Sequence, residues 1–210
     1  MKKVVIAIDG FAATGKGTLA QAIANKYHIT YIDTGSFYRC IALETLKFPS
    51  KSIDDLLNDI DIKINGRRLL LDGEDVTDRI RDRDVTNQID KIVNVPDVRS
   101  FTTNLARKRA ASESVVADGR DVGNNILPDA NLKFLLVADE DVRARRRVAQ
   151  YEEKGIIIPF ETIKKDNKFR DERDRLNMGD VERIVIDDTN LSEDETLQVM
   201  SNYIDAYLEE

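Results

Sequence analysis

Val4-Val5-Ile6-Ala7-Ile8 is a continuous apolar run stopped by Asp9-Gly10, the pattern of a strand buried on both faces, and it predicts a central parallel strand. Beyond a glycine-rich turn, Leu19, Ala20, Ile23 and Ala24 recur at helical spacing. Tyr27-His28 closes that helix before Thr30-Tyr31-Ile32, a second strand, so the chain opens with one β-α-β unit. His28, the only histidine, reads as a surface or capping residue at a helix end. Helical patterning follows from Gly35 to Leu46, is broken around Pro49, and resumes briefly from Ile53 to Asn58.

The pattern then changes period. Ile60, Ile62 and Ile64 alternate with polar residues, Asn65-Gly66 supplies a type I′ turn signal, and Leu69-Leu70-Leu71 returns before Asp72-Gly73, which predicts a small hairpin. Two helices are expected over 84–93 and 98–111, separated at Pro96. Val115-Val116-Ala117 and Leu132 to Val137 read as third and fourth strands, with Pro128 in the loop between them. A basic helix over 141–154, a turn over 155–159 and a highly charged helix from Glu161 to about Leu176 lead to a last strand, Ile184-Val185-Ile186. Ser192 and Glu195 form a capping box for a C-terminal amphipathic helix. Strands alternating with helices predict an α/β fold, a parallel sheet of about five strands covered on both faces.

Composition narrows the class. At 210 residues and 41% hydrophobic content, one domain with small excursions is expected. The net charge of −7 provides no global basic field for nucleic acid or an anionic membrane, so neither partner is expected and any phosphate site must be locally basic. The single cysteine, Cys40, reads as a small buried thiol compatible with a reducing compartment. Asp9 ends the first apolar run too early for a signal peptide and no run reaches membrane-helix length, so a cytoplasmic protein is expected.

Gly10-Phe11-Ala12-Ala13-Thr14-Gly15-Lys16 lies between a buried strand and a helix, the context a phosphate-binding loop requires. Its backbone amides can turn inward around the phosphates of ATP, the helix points its positive end at them, and Lys16 adds a mobile charge in what should be a solvated loop. Such loops commonly place Ser or Thr directly after the lysine to ligate Mg²⁺, but here Gly17 stands there and Thr18 follows. Mg²⁺ is therefore expected to be held by phosphates and waters, with Asp118 at the end of the third strand anchoring those waters.

A kinase needs a second anion site. Asp33-Thr34-Gly35 opens a helix that carries Tyr38-Arg39, and Asp118-Gly119-Arg120-Asp121 adds another arginine and carboxylate at the end of the third strand. To Gly15-Lys16-Gly17-Thr18 are added the runs Asp-Thr-Gly-Ser-Phe-Tyr-Arg from Asp33, Gly-Glu-Asp-Val-Thr from Gly73, Pro-Asp-Val-Arg from Pro96 and Asp-Gly-Arg-Asp-Val-Gly from Asp118. With Arg-Asp-Glu-Arg-Asp from Arg170 and Ile-Asp-Asp-Thr-Asn-Leu-Ser from Ile186, the set resembles the bacterial cytidylate kinases, in order over nearly the whole chain.

The resemblance implies a P-loop core (1–35, 113–153 and 175–210), a monophosphate-binding insert with a small β-structure (about 36–112) and a mobile lid (about 154–174). It implies transfer of the γ-phosphoryl group of ATP to CMP or dCMP by a monomer, with Mg²⁺. Gly10, Ala12, Ala13, Thr14, Gly15, Lys16, Gly17, Thr18, Arg146 and Arg147 would then bind ATP. Thr34, Arg39 and Arg120 take the acceptor phosphate, Arg99 and Asp121 the cytosine edge, and Arg170 and Asp174 the sugar or phosphates from the lid. Lys16, Asp118, Arg120 and Arg170 would carry catalysis. The charges of the lid and of Arg146 and Arg147 are equally compatible with an ordinary solvated helix face. Two positions depart from the family: Asp90 replaces a serine that contacts the base, and Asn177 replaces an arginine directed at phosphate. Another pyrimidine monophosphate, such as UMP or a modified dCMP, remains the alternative acceptor. A GTP-driven switch is disfavoured, because no guanine-reading Asn-Lys-x-Asp is present.

Overall fold

The computed structural model describes residues 2–65, 68–153 and 155–210. Gly66 of the expected Asn65-Gly66 turn, and Lys154 at the start of the expected lid, lie outside the described residues. In chain order the elements are β1 (Val5–Gly10), α1 (Lys16–Tyr27), β2 (Thr30–Asp33), α2 (Thr34–Lys47), α3 (Ile53–Asp59), β3 (Ile62–Asn65), β4 (Arg68–Leu71) and β5 (Glu74–Asp75). They continue through a 3-10 turn (Arg79–Arg81), α4 (Arg83–Ile92), α5 (Pro96–Ser112), β6 (Val115–Gly119), a wide turn (Val122–Ile126), β7 (Leu132–Val137), α6 (Glu140–Glu152), α7 (Phe160–Met178), β8 (Ile184–Asp187) and α8 (Glu193–Glu209). Among the described residues, no helix is long and apolar enough to cross a membrane.

The chain forms two compact units, Met1–Ile32 with Ser112–Glu210, and Asp33–Ala111. The first is built on a five-stranded sheet of order β2-β6-β1-β7-β8. β1 lies at its centre, pairing in parallel with β6 (Ile6 opposite Val116) and with β7 (Ile8 opposite Phe134). Its residues after Val5 are buried because the sheet is covered on both faces, which explains why the sequence reads as an unbroken apolar run. Ile6, Ile8, Leu19, Ile23, Val116, Phe134, Leu136, Met200 and Ile204 form the core, each large side chain contributing on the order of 1.5–3 kcal/mol by leaving water. Ser192 and Glu195 close the expected capping box on α8. His28 is the exposed C-cap of α1, in the left-handed region at φ 53°.

The second unit carries α2 to α5 and a three-stranded antiparallel sheet, β3-β4-β5. The expected hairpin is thus one strand short. Asp72 (φ 52°) and Gly73 (φ 85°) both adopt positive φ and connect Leu71 to its partner Glu74, the two-residue turn that joins β4 to β5. β5 spans only two residues, too short for alternation to reveal it. Cys40 is buried here, and burial pushes its thiol up to about 12, which keeps it an inert packing group as expected.

Candidate active site

The loop after β1 emerges at the middle of the carboxyl edge of the sheet, where ligands of open α/β folds bind. Gly10 must lack a side chain, since a Cβ there would run into the carbonyl oxygen of Leu136 on β7. Ala13 (φ 58°) and Gly15 (φ 82°) both turn through the left-handed region, and no side chain caps α1. The first amides of that helix therefore have no intrahelical acceptor, the arrangement that cradles phosphate oxygens. Thr14 folds back on the loop, its Oγ1 donating to the Phe11 carbonyl at 3.0 Å. Thr18 is exposed on the first turn of α1.

Lys16 is not the solvated charge expected from the sequence. It is buried, its Nζ donating to the Phe11 carbonyl at 2.7 Å and to Thr14 Oγ1 at 3.3 Å. Burial first, and then the Arg120 guanidinium, pull its ammonium well below the ordinary lysine value, against the opposing pull of Asp118, Asp9 and Asp174. A polyanion in the loop would favour the charged form and pull the value up again. Binding of ATP in EDTA is accordingly expected to take up protons at alkaline pH, read by calorimetry in two buffers of different ionisation enthalpy. Buffer-independent heats would contradict this reading of Lys16.

Around the loop stand charged groups that pair across long stretches of chain. Asp118, at the end of β6, accepts from the Tyr31 hydroxyl at 2.7 Å. Arg120 donates to Asp174 on α7 at 2.6 Å and to the Gly10 carbonyl at 3.0 Å, so these two expected substrate groups hold each other beside the loop. Asp121 is buried and accepts from Asn125 at 3.0 Å, its orientation fixed by the wide turn whose amides of Asn125 and Ile126 bond the Asp121 carbonyl. Arg170 is half-buried on α7. Arg146 grips Asp188, donating to its carboxylate and its carbonyl, both at 2.9 Å. Arg147 instead lies along its own helix, with Gln150 at 3.2 Å and the Tyr151 ring 5.0 Å away.

Four neighbours escaped the sequence reading. Asp9, fully buried, accepts from the amides of Val122 at 2.7 Å and Gly123 at 3.0 Å and from Arg183 at 3.1 Å; burial nevertheless raises its carboxyl above the usual range. Arg183 also reaches the carbonyls of Met178 and Gly179, tying the end of α7 to the residue preceding the loop. Asp171 accepts from the Ala12 amide at 3.1 Å and from Arg143 at 2.6 Å, while Arg143 donates to the Ala12 carbonyl at 3.0 Å. This buried pair docks α7 on the phosphate loop. Asp171→Asn, which removes the charge from a pair out of water, should lower stability by about 2 kcal/mol. For a chain of this size that is a fall of roughly 4–8 °C in Tm, and a change under about 1 °C would show that the contact does not hold α7 in solution.

Within the other unit, Thr34 is buried in the first turn of α2, which Asp33 caps by accepting from the Ser36 amide at 3.1 Å. Arg39 on the same helix donates to Thr86 Oγ1 at 2.8 Å and to the Ile80 carbonyl at 3.3 Å. Asp90 is exposed on α4 and Arg99 half-buried on α5.

A glycine-rich loop between a central strand and a helix, on a five-stranded parallel sheet, places the chain among the P-loop kinase folds. Shikimate kinase from Bacteroides thetaiotaomicron superposes with a TM-score of 0.53 at 14% identity, covering 96% of this chain and 98% of that one. An uncharacterized protein from Eubacterium ventriosum reaches 0.58 at 20% identity, covering 98% and 99%. The cytidylate kinase family model matches residues 6–206. Cytidylate kinases from Clostridium botulinum (strain Langeland), 36% identical over 97% of this chain and 99% of that protein, and from Caldanaerobacter subterraneus subsp. tengcongensis, 37% identical over 93% and 92%, are similar along the same span. The chain belongs to the cytidylate kinase family.

Proposed function

We propose that the protein transfers the γ-phosphoryl group of ATP to CMP, and to dCMP, as a cytoplasmic monomer. The observation that carries this reading is the phosphate loop with its buried lysine inside a chain that matches the cytidylate kinase family from residue 6 to 206. An oxygen of the acceptor phosphate attacks the γ-phosphorus, a new P–O bond forms, the bond to the β,γ-bridging oxygen breaks, and ADP leaves with that electron pair. Because the acceptor is already an anion, no histidine or serine base is needed.

The loop from Gly10 to Thr18 binds the donor phosphates, and Lys16 neutralises charge on the transferring group. Arg146 and Arg147 serve the donor nucleotide. Thr34, Arg39 and Arg120 hold the acceptor phosphate, Asp121, Arg99 and Asp90 the base, and Arg170 and Asp174 the sugar or phosphates. Mg²⁺ would supply charge neutralisation of the phosphate oxygens there. Asp118 is the hard oxygen donor that fits it, a carboxylate held beside Gly17 at the head of α1.

The segment over 155–174 acts as a lid that excludes water, which would otherwise accept the phosphoryl group. CMP together with an ATP analogue should protect this segment from protease better than the analogue alone, because an acceptor phosphate drawn to Arg120 and Arg170 adds to the Asp171–Arg143 and Arg120–Asp174 pairs that already hold α7. Equal cleavage rates in the two states would show a rigid structural helix instead.

A further inference from the structure

The phosphate loop lacks the hydroxyl that normally follows its lysine, and the structure shows what occupies the vacated space. A Cβ built on Gly17 would lie 3.3 Å from the Tyr31 hydroxyl and 4.0 Å from Asp118 Oδ2. The first distance is tighter than most side-chain contacts, so a residue larger than glycine would press on that hydroxyl. The oxygen that Ser or Thr would carry from α1 is thus matched by one delivered from β2. Tyr31 donates it to Asp118 Oδ1 at 2.7 Å, which distinguishes the two carboxylate oxygens: Oδ1 is engaged by Tyr31, and Oδ2 is the one nearer Gly17.

We propose that Tyr31 is a positioning residue for the Mg²⁺–nucleotide complex, acting through Asp118 in place of the missing loop hydroxyl. An aspartate at a strand end rotates easily about its terminal torsion, which has broad minima. A short hydrogen bond to Oδ1 fixes the plane of the carboxylate, with Oδ2 on the side of Gly17. Partners of this kind, which orient a metal-directed carboxylate without touching the metal, typically contribute 10–100-fold in metal affinity. The glycine at position 17 and the tyrosine at position 31 are then one device, since the first makes room for the second. This inference rests on the nucleotide-binding reading above.

The test is Tyr31→Phe, which removes one oxygen and keeps the ring. Mn²⁺ binding to the protein–ADP complex, followed by electron paramagnetic resonance, should weaken about 10-fold or more. ADP affinity in EDTA and Tm should stay at wild-type values. In an Asp118→Ala background the same substitution should have no further effect on Mn²⁺. Mn²⁺ affinity within about twofold of wild type overturns the proposal, as does an equal loss of ADP affinity in EDTA, which marks a packing role. A wild-type protein that binds no Mn²⁺–ADP overturns the nucleotide reading itself, whereas equal binding by wild type and variant overturns only the role of Tyr31.

Discussion

Lys16→Met is expected to lose at least about 10²-fold in kcat for phosphoryl transfer while keeping its fold. The lysine donates to Phe11 and Thr14 of the loop itself, which keeps its amino group at the loop that is proposed to bind the phosphates. It is held there at an electrostatic cost, because burial and Arg120 disfavour its charge until an anion arrives. Beyond binding ATP, the lysine would neutralise charge that develops on the oxygens of the γ-phosphoryl group during transfer, and removing one such contact commonly costs 10²–10³-fold. Methionine has nearly the same length and suits a buried position, so circular dichroism should be unchanged. A variant retaining more than about a tenth of the wild-type rate would overturn the role given to Lys16.

CMP should be preferred over UMP by at least about 10³-fold in kcat/KM. Cytosine presents an exocyclic amine where uracil presents an oxygen, so a carboxylate facing that position accepts from one and repels the other. Asp121 is buried and oriented by Asn125, which leaves it little freedom to turn away from a mismatched base. Buried polar groups left unpaired by the wrong substrate carry large penalties. Asp90 is the second carboxylate proposed for the base, and Asp90→Ser separates the contributions. A narrowed CMP to UMP ratio places Asp90 at the base, and unchanged kinetics with both nucleotides would show that it never touches it.

The sheet and the phosphate loop were legible because their physics is local. A strand buried on both faces must be apolar without interruption, and a loop that turns inward needs glycine where backbone approaches backbone, as at Gly10 against Leu136. The pairs that dock α7 had no such signature. Asp171 meets Ala12 from 159 residues away and Arg183 meets Asp9 from 174, and nothing in either neighbourhood announces the partner. The helix itself misleads: its buried positions include Asn167, Asp171 and Asp174 along with Ile163 and Met178, so a face that is inside reads as a charged, solvated one. Lys16 was misjudged for a related reason. A lysine in a loop is ordinarily wet, and only the assembled neighbours, Asp9, Asp118, Arg120 and Asp174, make this one a buried charge.

The account stands most directly on whether the purified protein moves phosphate from ATP to CMP. Incubation with Mg²⁺, ATP and each nucleoside monophosphate in turn, with products separated by ion-exchange chromatography, should give CDP from CMP and dCDP from dCMP in amounts equal to the ADP formed, and little product from UMP, AMP or GMP. ADP that accumulates with CMP present but without CDP, or a diphosphate formed faster from another acceptor, would contradict it.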